Sequence, residues 1–287
     1  MSNKQPFFSV DGVTQSNRIL HTPSLMARKN LIYVQEVGKL KSLTPHICRR
    51  EKLSSFLIMY VLNGRGYVRT QEQEYTVHAG DCIFLNCVQA YEHLSSEEEP
   101  WELLWVHFYG NNAEMYFNLF HEKNAGTPLF RPSGDSPIKD YIQKIMSLKD
   151  EKDLLSEFKA AYYLTGLLTE CLDVVMDEEQ LGDMREFVNE NFKETEIIHL
   201  LTEKYHKTEE ELNELFIKNY GIELRDYILV RRFTCAKELL RFTIKDIPVV
   251  IEESGIRNED LFRQLFRENE GMTAEEYRMK WAQWIKA

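Results

Sequence analysis

The chain has 287 residues, 43% hydrophobic and 28% charged, with a net charge of −11 at pH 7. This composition predicts about two folded domains and excludes a disordered chain. No apolar h-region follows Met1, and no apolar run approaches the ~20 residues a membrane span needs, so a cytoplasmic protein without membrane contact is expected.

In chain order, the first twenty or so residues read as an arm. Strands are expected at 31–37 and 46–50, then in a dense series over 53–110. Phe56-Leu-Ile-Met-Tyr-Val-Leu62 is a buried apolar run, and Asn63-Gly-Arg-Gly66 turns it into Tyr67-Val-Arg-Thr70. Tyr75-Thr-Val77, the Gly80-Asp81 turn, Cys82-Ile-Phe-Leu85 and Leu103–Phe108 follow at short spacing, as in a barrel or sandwich with a closed interior. From Ile138 the period becomes helical. Ile138, Tyr141, Ile142, Ile145 and Met146 form one stripe; Leu154, Phe158, Ala161, Tyr162, Thr165, Leu168, Leu172 and Val175 form a longer one. This pair, within 136–176, can pack on the barrel, on itself or on a second subunit. Residues 177–183, charged and aperiodic with Gly182, read as a linker to an all-helical segment, 184–287.

That last segment repeats itself at an offset of 50 residues. Leu212, Leu215, Phe216, Gly221, Ile222 and Tyr227 return as Phe262, Leu265, Phe266, Gly271, Met272 and Tyr277. Ile197, Leu200 and Leu201 likewise return as Ile247, Val250 and Ile251. One supersecondary unit is therefore used twice. Each copy reads as two short helices around a break, the outline of a helix-turn-helix. Asp246 and Pro248 open the second copy, Gly255 supplies its turn, and Thr273 with Glu276 forms a capping box for a last helix.

Phe262-x-x-x-Phe266, Gly271-Met-Thr and Tyr277-Arg278 resemble the second helix-turn-helix of the AraC/XylS family of bacterial transcription regulators. Tyr227-Ile-Leu-Val-Arg-Arg232 with Ala236-Lys-Glu-Leu-Leu240 resembles that family's connecting helix. Gly64-Arg-Gly-Tyr67, His78-Ala-Gly-Asp81 and Trp105-Val-His-Phe108 fall where its cupin-like sensor has them, so the likeness runs from about residue 30 to 281. It implies an α+β two-domain chain: a cupin-like β-barrel sensor (1–135, with the arm), a flanking helix pair that mediates dimerisation, and a double helix-turn-helix domain. It further implies a homodimer that senses a small molecule, with a sugar among the candidates, and binds promoter DNA and RNA polymerase. Two family positions differ: Thr202 and Ile251 stand at the small residue of the leading helices, and His206 at the first turn glycine.

Side chains near the N-terminus of a recognition helix read base edges in the major groove. In the second unit the candidates for this work are Arg257, Asn258, Arg263, Gln264 and Arg267, although the same residues suit an ordinary solvated face. The first unit offers Lys207, Asn213 and Lys218, and the connecting helix adds Arg231 and Arg232, one of which is expected to pack structurally against an acidic neighbour. Opposing them, Glu209, Glu210, Glu211 and Glu214 crowd the first recognition helix, and residues 183–287 carry 17 Lys/Arg against 22 Asp/Glu, a balance of −5. Carboxylates there oppose a duplex that carries one negative charge per ~1.7 Å. The alternative is a family member with a degenerate reading surface that acts as a sensor through protein contacts.

For the barrel, strand alternation and family position select His46, Arg49, Tyr60, Tyr91, Trp105 and His107 as ligand-binding candidates. Each also suits a satisfied core position. The histidines are scattered with no H-x-H pair, and neither a nucleophile elbow, a P-loop nor a dinucleotide fingerprint occurs, so no metal, cofactor or enzymatic activity is expected. Five cysteines without a C-x-x-C pair read as buried free thiols.

Overall fold

The computed structural model describes residues 12–70, 73–148, 153–175 and 179–282, the side chains of 179–182 excepted. The chain divides into two compact units, 1–176 and 177–287.

The first unit runs β1 (Thr14–Leu20), α1 (Leu25–Asn30), β2 (Ile32–Ser42), β3 (Ile47–Arg50), β4 (Phe56–Asn63), β5 (Arg65–Arg69), β6 (Glu74–His78), β7 (Cys82–Asn86), β8 (Tyr91–Ser95), β9 (Glu102–Gly110), α2 (Ala113–Lys123), β10 (Leu129–Phe130), α3 (Ile138–Ser147) and α4 (Leu154–Val175). The strands form two antiparallel sheets, β1-β2-β9-β4-β7-β10 and β3-β8-β5-β6. Part of the expected arm is thus an edge strand: Thr14 to Leu20 pair with Ser42 to Glu36, while residues 1–11 lie outside the described chain.

Strand β4 is apolar on both faces because both are covered. Phe56 and Ile58, with Phe84, Val106 and Phe108, pack beneath α2, α3 and α4 against Phe120, Ile142 and Leu164. Leu57, Met59 and Val61 point the other way and meet Leu85, Leu103, Val68 and Val77 between the sheets. Full burial of each such Leu, Ile or Phe contributes roughly 1.5–3 kcal/mol. The helix pair therefore packs on the sheet and on itself. Gly166 of α4 lets the Tyr141 ring approach so closely that a Cβ would lie 2.7 Å from its Cζ. The opposite face of α4 leaves Leu154, Leu155, Phe158 and Tyr162 exposed.

A register shift in the β2–β9 ladder between Val34 and Glu36 sets what β2 presents. Ile32 and Val34 face the helices before it, and Val37 faces them after it. The extra residue of a bulge exchanges the two faces of a strand, so Glu36, Gly38 and Leu40 turn toward the space between the sheets.

The second unit is helical: α5 (Glu179–Asn191), α6 (Ile197–Tyr205), α7 (Glu209–Tyr220), α8 (Leu224–Phe242), α9 (Ile247–Glu253), α10 (Glu259–Glu270) and α11 (Ala274–Trp281). The expected linker differs: α5 already begins at Glu179, since Glu, Gln and Leu are strong helix formers whatever their periodicity, and residues 176–178 lie outside the described chain. The repeated residues are the two cores. Leu201, Leu212 and Phe216 are buried in one, and Ile251, Phe262 and Phe266 in the other. Helix α8 serves both, giving Ile228 to the first and Phe233, Ala236 and Leu240 to the second. Capping boxes start α7 (Thr208 with Glu211) and α11 (Thr273 with Glu276). Asp246 occupies the N-cap of α9 without a side-chain cap bond.

Candidate effector cavity and nucleic-acid interface

A cavity of about 280 Å³ lies between the sheets, with Leu57, Met59 and Leu103 as its apolar wall. That is close to the small end of ligand pockets, about 300–1,000 Å³. Of the six expected residues, His46, Tyr91, Trp105 and His107 line it. Two do not. Tyr60 shares the parity of Phe56 and Ile58 and packs on the helix side of the sheet. Arg49 points outward from β3 and pairs with Glu92 at 2.6 Å. Its neighbour Arg50 turns inward instead, because successive strand residues face opposite sides.

Trp105 is held from three sides. Its Nε1 donates to Glu36 Oε1 at 2.9 Å, the Arg18 guanidinium sits 5.6 Å from the ring centroid, and a Cβ on Gly38 would lie 2.5 Å from the indole carbons. Glu36 also pairs with Arg18 Nε at 3.1 Å, so these two charges balance inside the cavity. Ser55 donates to the Phe56 carbonyl at 3.1 Å, which makes His107 Nδ1 the donor in its 3.0 Å bond to Ser55 and leaves Nε2 an acceptor. Ser42 Oγ lies 3.3 Å from His46 Nδ1.

The imidazoles are kept neutral. Burial, then the nearby His46, Arg50 and His107, pulls His93 down to about 3. Burial, then Arg50 and Arg18, pulls His107 down to about 4, and burial also lowers His46. Burial, then the nearby Cys87 thiol, raises the Tyr91 phenol, while Arg50 acts in the opposite sense. Among the described residues no group of three or more His, Cys, Asp or Glu is arranged to hold a metal ion. Sequence reasoning missed Arg18, Glu36, Arg50 and His93. Alternation from Tyr91 points to His93; the bulge hid Glu36.

In the helical unit, α6–α7 and α9–α10 are the two helix-turn-helix pairs. The first turn uses His206 in the left-handed region at φ 52°, and the second uses Gly255 at φ 81°. Several expected DNA-reading groups already have structural partners. Asn258 caps α10, accepting from Leu261 N at 2.9 Å, and Asn213 caps α8, accepting from Leu224 N at 3.0 Å. Arg232 donates to the carbonyls of Phe192 (2.6 Å) and Glu194 (2.8 Å), so its structural partner is backbone, not an acidic side chain. Arg231 stacks over the Phe192 ring at 5.4 Å. Arg257 reaches Glu252 at 3.3 Å.

The exposed face of α10 carries Arg263, Gln264 and Arg267. Arg263 Nε donates to Glu259 at 3.0 Å and Gln264 to Glu268 at 2.8 Å, while Arg267 forms no ion pair among the described residues. On the first unit Lys218 is exposed and Lys207 half-buried. Glu209 is engaged by Arg225 at 2.6 Å and Glu211 by the capping box, but Glu210 and Glu214 stand exposed.

A two-sheet domain with a polar-lined cavity, carried on one chain with a paired helix-turn-helix domain, defines a ligand-responsive transcription regulator. Residues 34–168 match the AraC-like ligand binding domain. That match lies within the first unit and is consistent with the AraC/XylS family. It is 24% identical over 229 residues to the lactose operon transcription activator of Staphylococcus xylosus, covering 76% of this chain and 81% of that protein. To the uncharacterized HTH-type transcriptional regulator YisR of Bacillus subtilis it is 22% identical over 262 residues, covering 84% and 91%. Among solved structures, the C-terminal domain of the response regulator yesN from Fusobacterium nucleatum is 25% identical, covering 35% of this chain and 99% of that chain, with a TM-score of 0.33.

Proposed function

We propose that the chain is a cytoplasmic, non-enzymatic regulator in which a small effector, held in the cavity around Trp105, controls binding of promoter DNA by the helical unit. The observation that carries this reading is the cavity itself: polar groups from several strands surround an apolar wall, the build of a small-metabolite site. Relatives include a lactose operon activator, which keeps sugars among the effectors to screen. No helix among the described residues is long and apolar enough to cross a membrane.

DNA contact is led by α10 through Arg263, Gln264 and Arg267. Exposed intrahelical pairs such as Arg263–Glu259 are weak and exchange readily with phosphate or base acceptors. The first unit contributes through Lys207 and Lys218 against the field of Glu210 and Glu214. The exposed Leu154, Leu155, Phe158 and Tyr162 face of α4 supports a homodimer through a second copy. RNA polymerase is a further partner proposed from the family. Fluorescence anisotropy with the gene's own upstream DNA at several salt concentrations tests the reading. Binding no tighter than to random DNA would sink it in favour of the second reading, a sensor acting through protein contacts, which the acidic face of α7 favours.

A further inference from the structure

The charges around the cavity do not balance. Arg18 and Glu36 form a pair at 3.1 Å and cancel each other. Arg49 and Arg69 share Glu92 on the outer side of β3, β5 and β8. Arg50 is left over: it is half-buried, lines the cavity and has no carboxylate partner among the described residues. Its neighbours are Cys48, the Tyr91 hydroxyl and, farther off, Glu36. The other titratable groups facing it from β8 and β9, His93 and His107, are neutral and give it no negative charge. Close to it sit two buried polar atoms that are poorly satisfied, the Tyr91 hydroxyl and His93 Nδ1.

Burial disfavours the Arg50 charge and the nearby Cys48, Tyr91 and Glu36 favour it, yet no carboxylate pairs with it, and the buried polar atoms beside it lack partners of their own. Both are relieved by one kind of guest. We propose that the effector is a small organic anion, whose carboxylate or phosphate group docks on Arg50 and Tyr91 while its remaining atoms lie along Trp105, Leu57 and Leu103. This rests on the reading of the cavity as the effector site and narrows it from any small metabolite to an anionic one. Arginine presents a planar fork that meets carboxylate and phosphate oxygens in pairs, which gives geometry as well as charge. The paired Arg18–Glu36 couple, being neutral overall, leaves Arg50 as the charge that selects.

The test uses the full chain and matched probes: glucose against glucuronate and glucose 6-phosphate, and hexanol against hexanoate, by calorimetry and thermal shift. At least one anion is expected to bind at least tenfold tighter than its neutral counterpart, and glucuronate against glucose 6-phosphate separates carboxylate from phosphate. Arg50→Gln should weaken the anion about 10- to 100-fold, the range of a lost charged hydrogen bond. Arg50→Lys should keep part of the affinity, which preserves the test if the glutamine variant fails to fold. Arg49→Gln should change nothing. Neutral probes binding as tightly as anions, indifferent to Arg50→Gln, would overturn the anionic class and leave the effector cavity standing. Binding by none of the probes would also overturn it, while the promoter titration reports separately on whether the chain is a DNA-binding regulator.

Discussion

At the scale of single residues, the cavity depends on atoms that are absent as much as on those present. Gly38 has no Cβ because the Trp105 indole and the Asn17 carbonyl both stand 2.5 Å from where it would lie. Gly38→Ala should therefore displace the indole and abolish effector binding, and a thermal shift lost on effector addition, with the far-ultraviolet spectrum retained, would show it. His93 and His107 carry a second consequence. Their values of about 3 and about 4 lie below the ordinary 6.5, so the unfolded chain takes up protons first on acidification. Their contribution to stability is intact above about pH 6.5 and is lost as the pH falls toward 4 and then 3. Melting temperature against pH should decline through that window, and His107→Asn should flatten the decline; an unchanged slope would contradict it. Alternation made His46, Tyr91, Trp105 and His107 legible in the sequence. It misassigned Tyr60 and Arg49 by one step of parity, because nothing local says which face of β3 or β4 is inside.

At the scale of elements, the two helix-turn-helix units build matching cores and differ at their turns and surfaces. Gly255 sits at φ 81° with the Lys193 backbone 2.9 Å from where a Cβ would lie, and Arg232 clamps the carbonyls on either side of that residue. Gly255→Ala should destabilise the helical unit by about 1–3 kcal/mol, read as a lowered melting transition. The surface makes a contrasting prediction. Arg267→Ala should weaken promoter binding and reduce the salt slope by about 1, as expected for one lost phosphate contact. Glu210→Lys should strengthen binding to any duplex, since an exposed carboxylate is replaced by a cation on α7. If anisotropy finds Glu210→Lys neutral, α7 does not approach DNA. The Asn candidates were plausible readers by residue type alone. Asn258 stands at the start of α10 and Asn213 reaches from within α7 to the start of α8, and at a helix start the free backbone N–H groups compete for an Asn oxygen.

At the scale of the whole molecule, the proposed regulation obeys linkage: if an effector changes promoter affinity by some factor, promoter DNA must change effector affinity by the same factor. Calorimetry with and without DNA measures both arms, and unequal factors would mean that a third equilibrium, such as dimerisation, is involved. Tyr162→Glu on the exposed face of α4 should lower the sedimentation mass toward that of a monomer if that face joins two copies.

The central strands, the helix pair and the doubled helical unit were readable from the chain alone because their signals are local, whereas β1, α1, α2 and the start of α5 were not. An alternating run makes a strand wherever it lies, and a 50-residue repeat of apolar positions makes the same core twice. What each side chain faces was decided by folding. The bulge at Val34/Glu36 reverses β2, and the charge that Glu36 then brings inward is what cancels Arg18 and leaves Arg50 alone. On the helices, backbone N–H groups at helix starts and backbone carbonyls engage Asn213, Asn258 and Arg232. Periodicity states how often a chain turns inward; only contacts between residues far apart in sequence state which side inward is, and which polar groups remain free once the fold has satisfied its own.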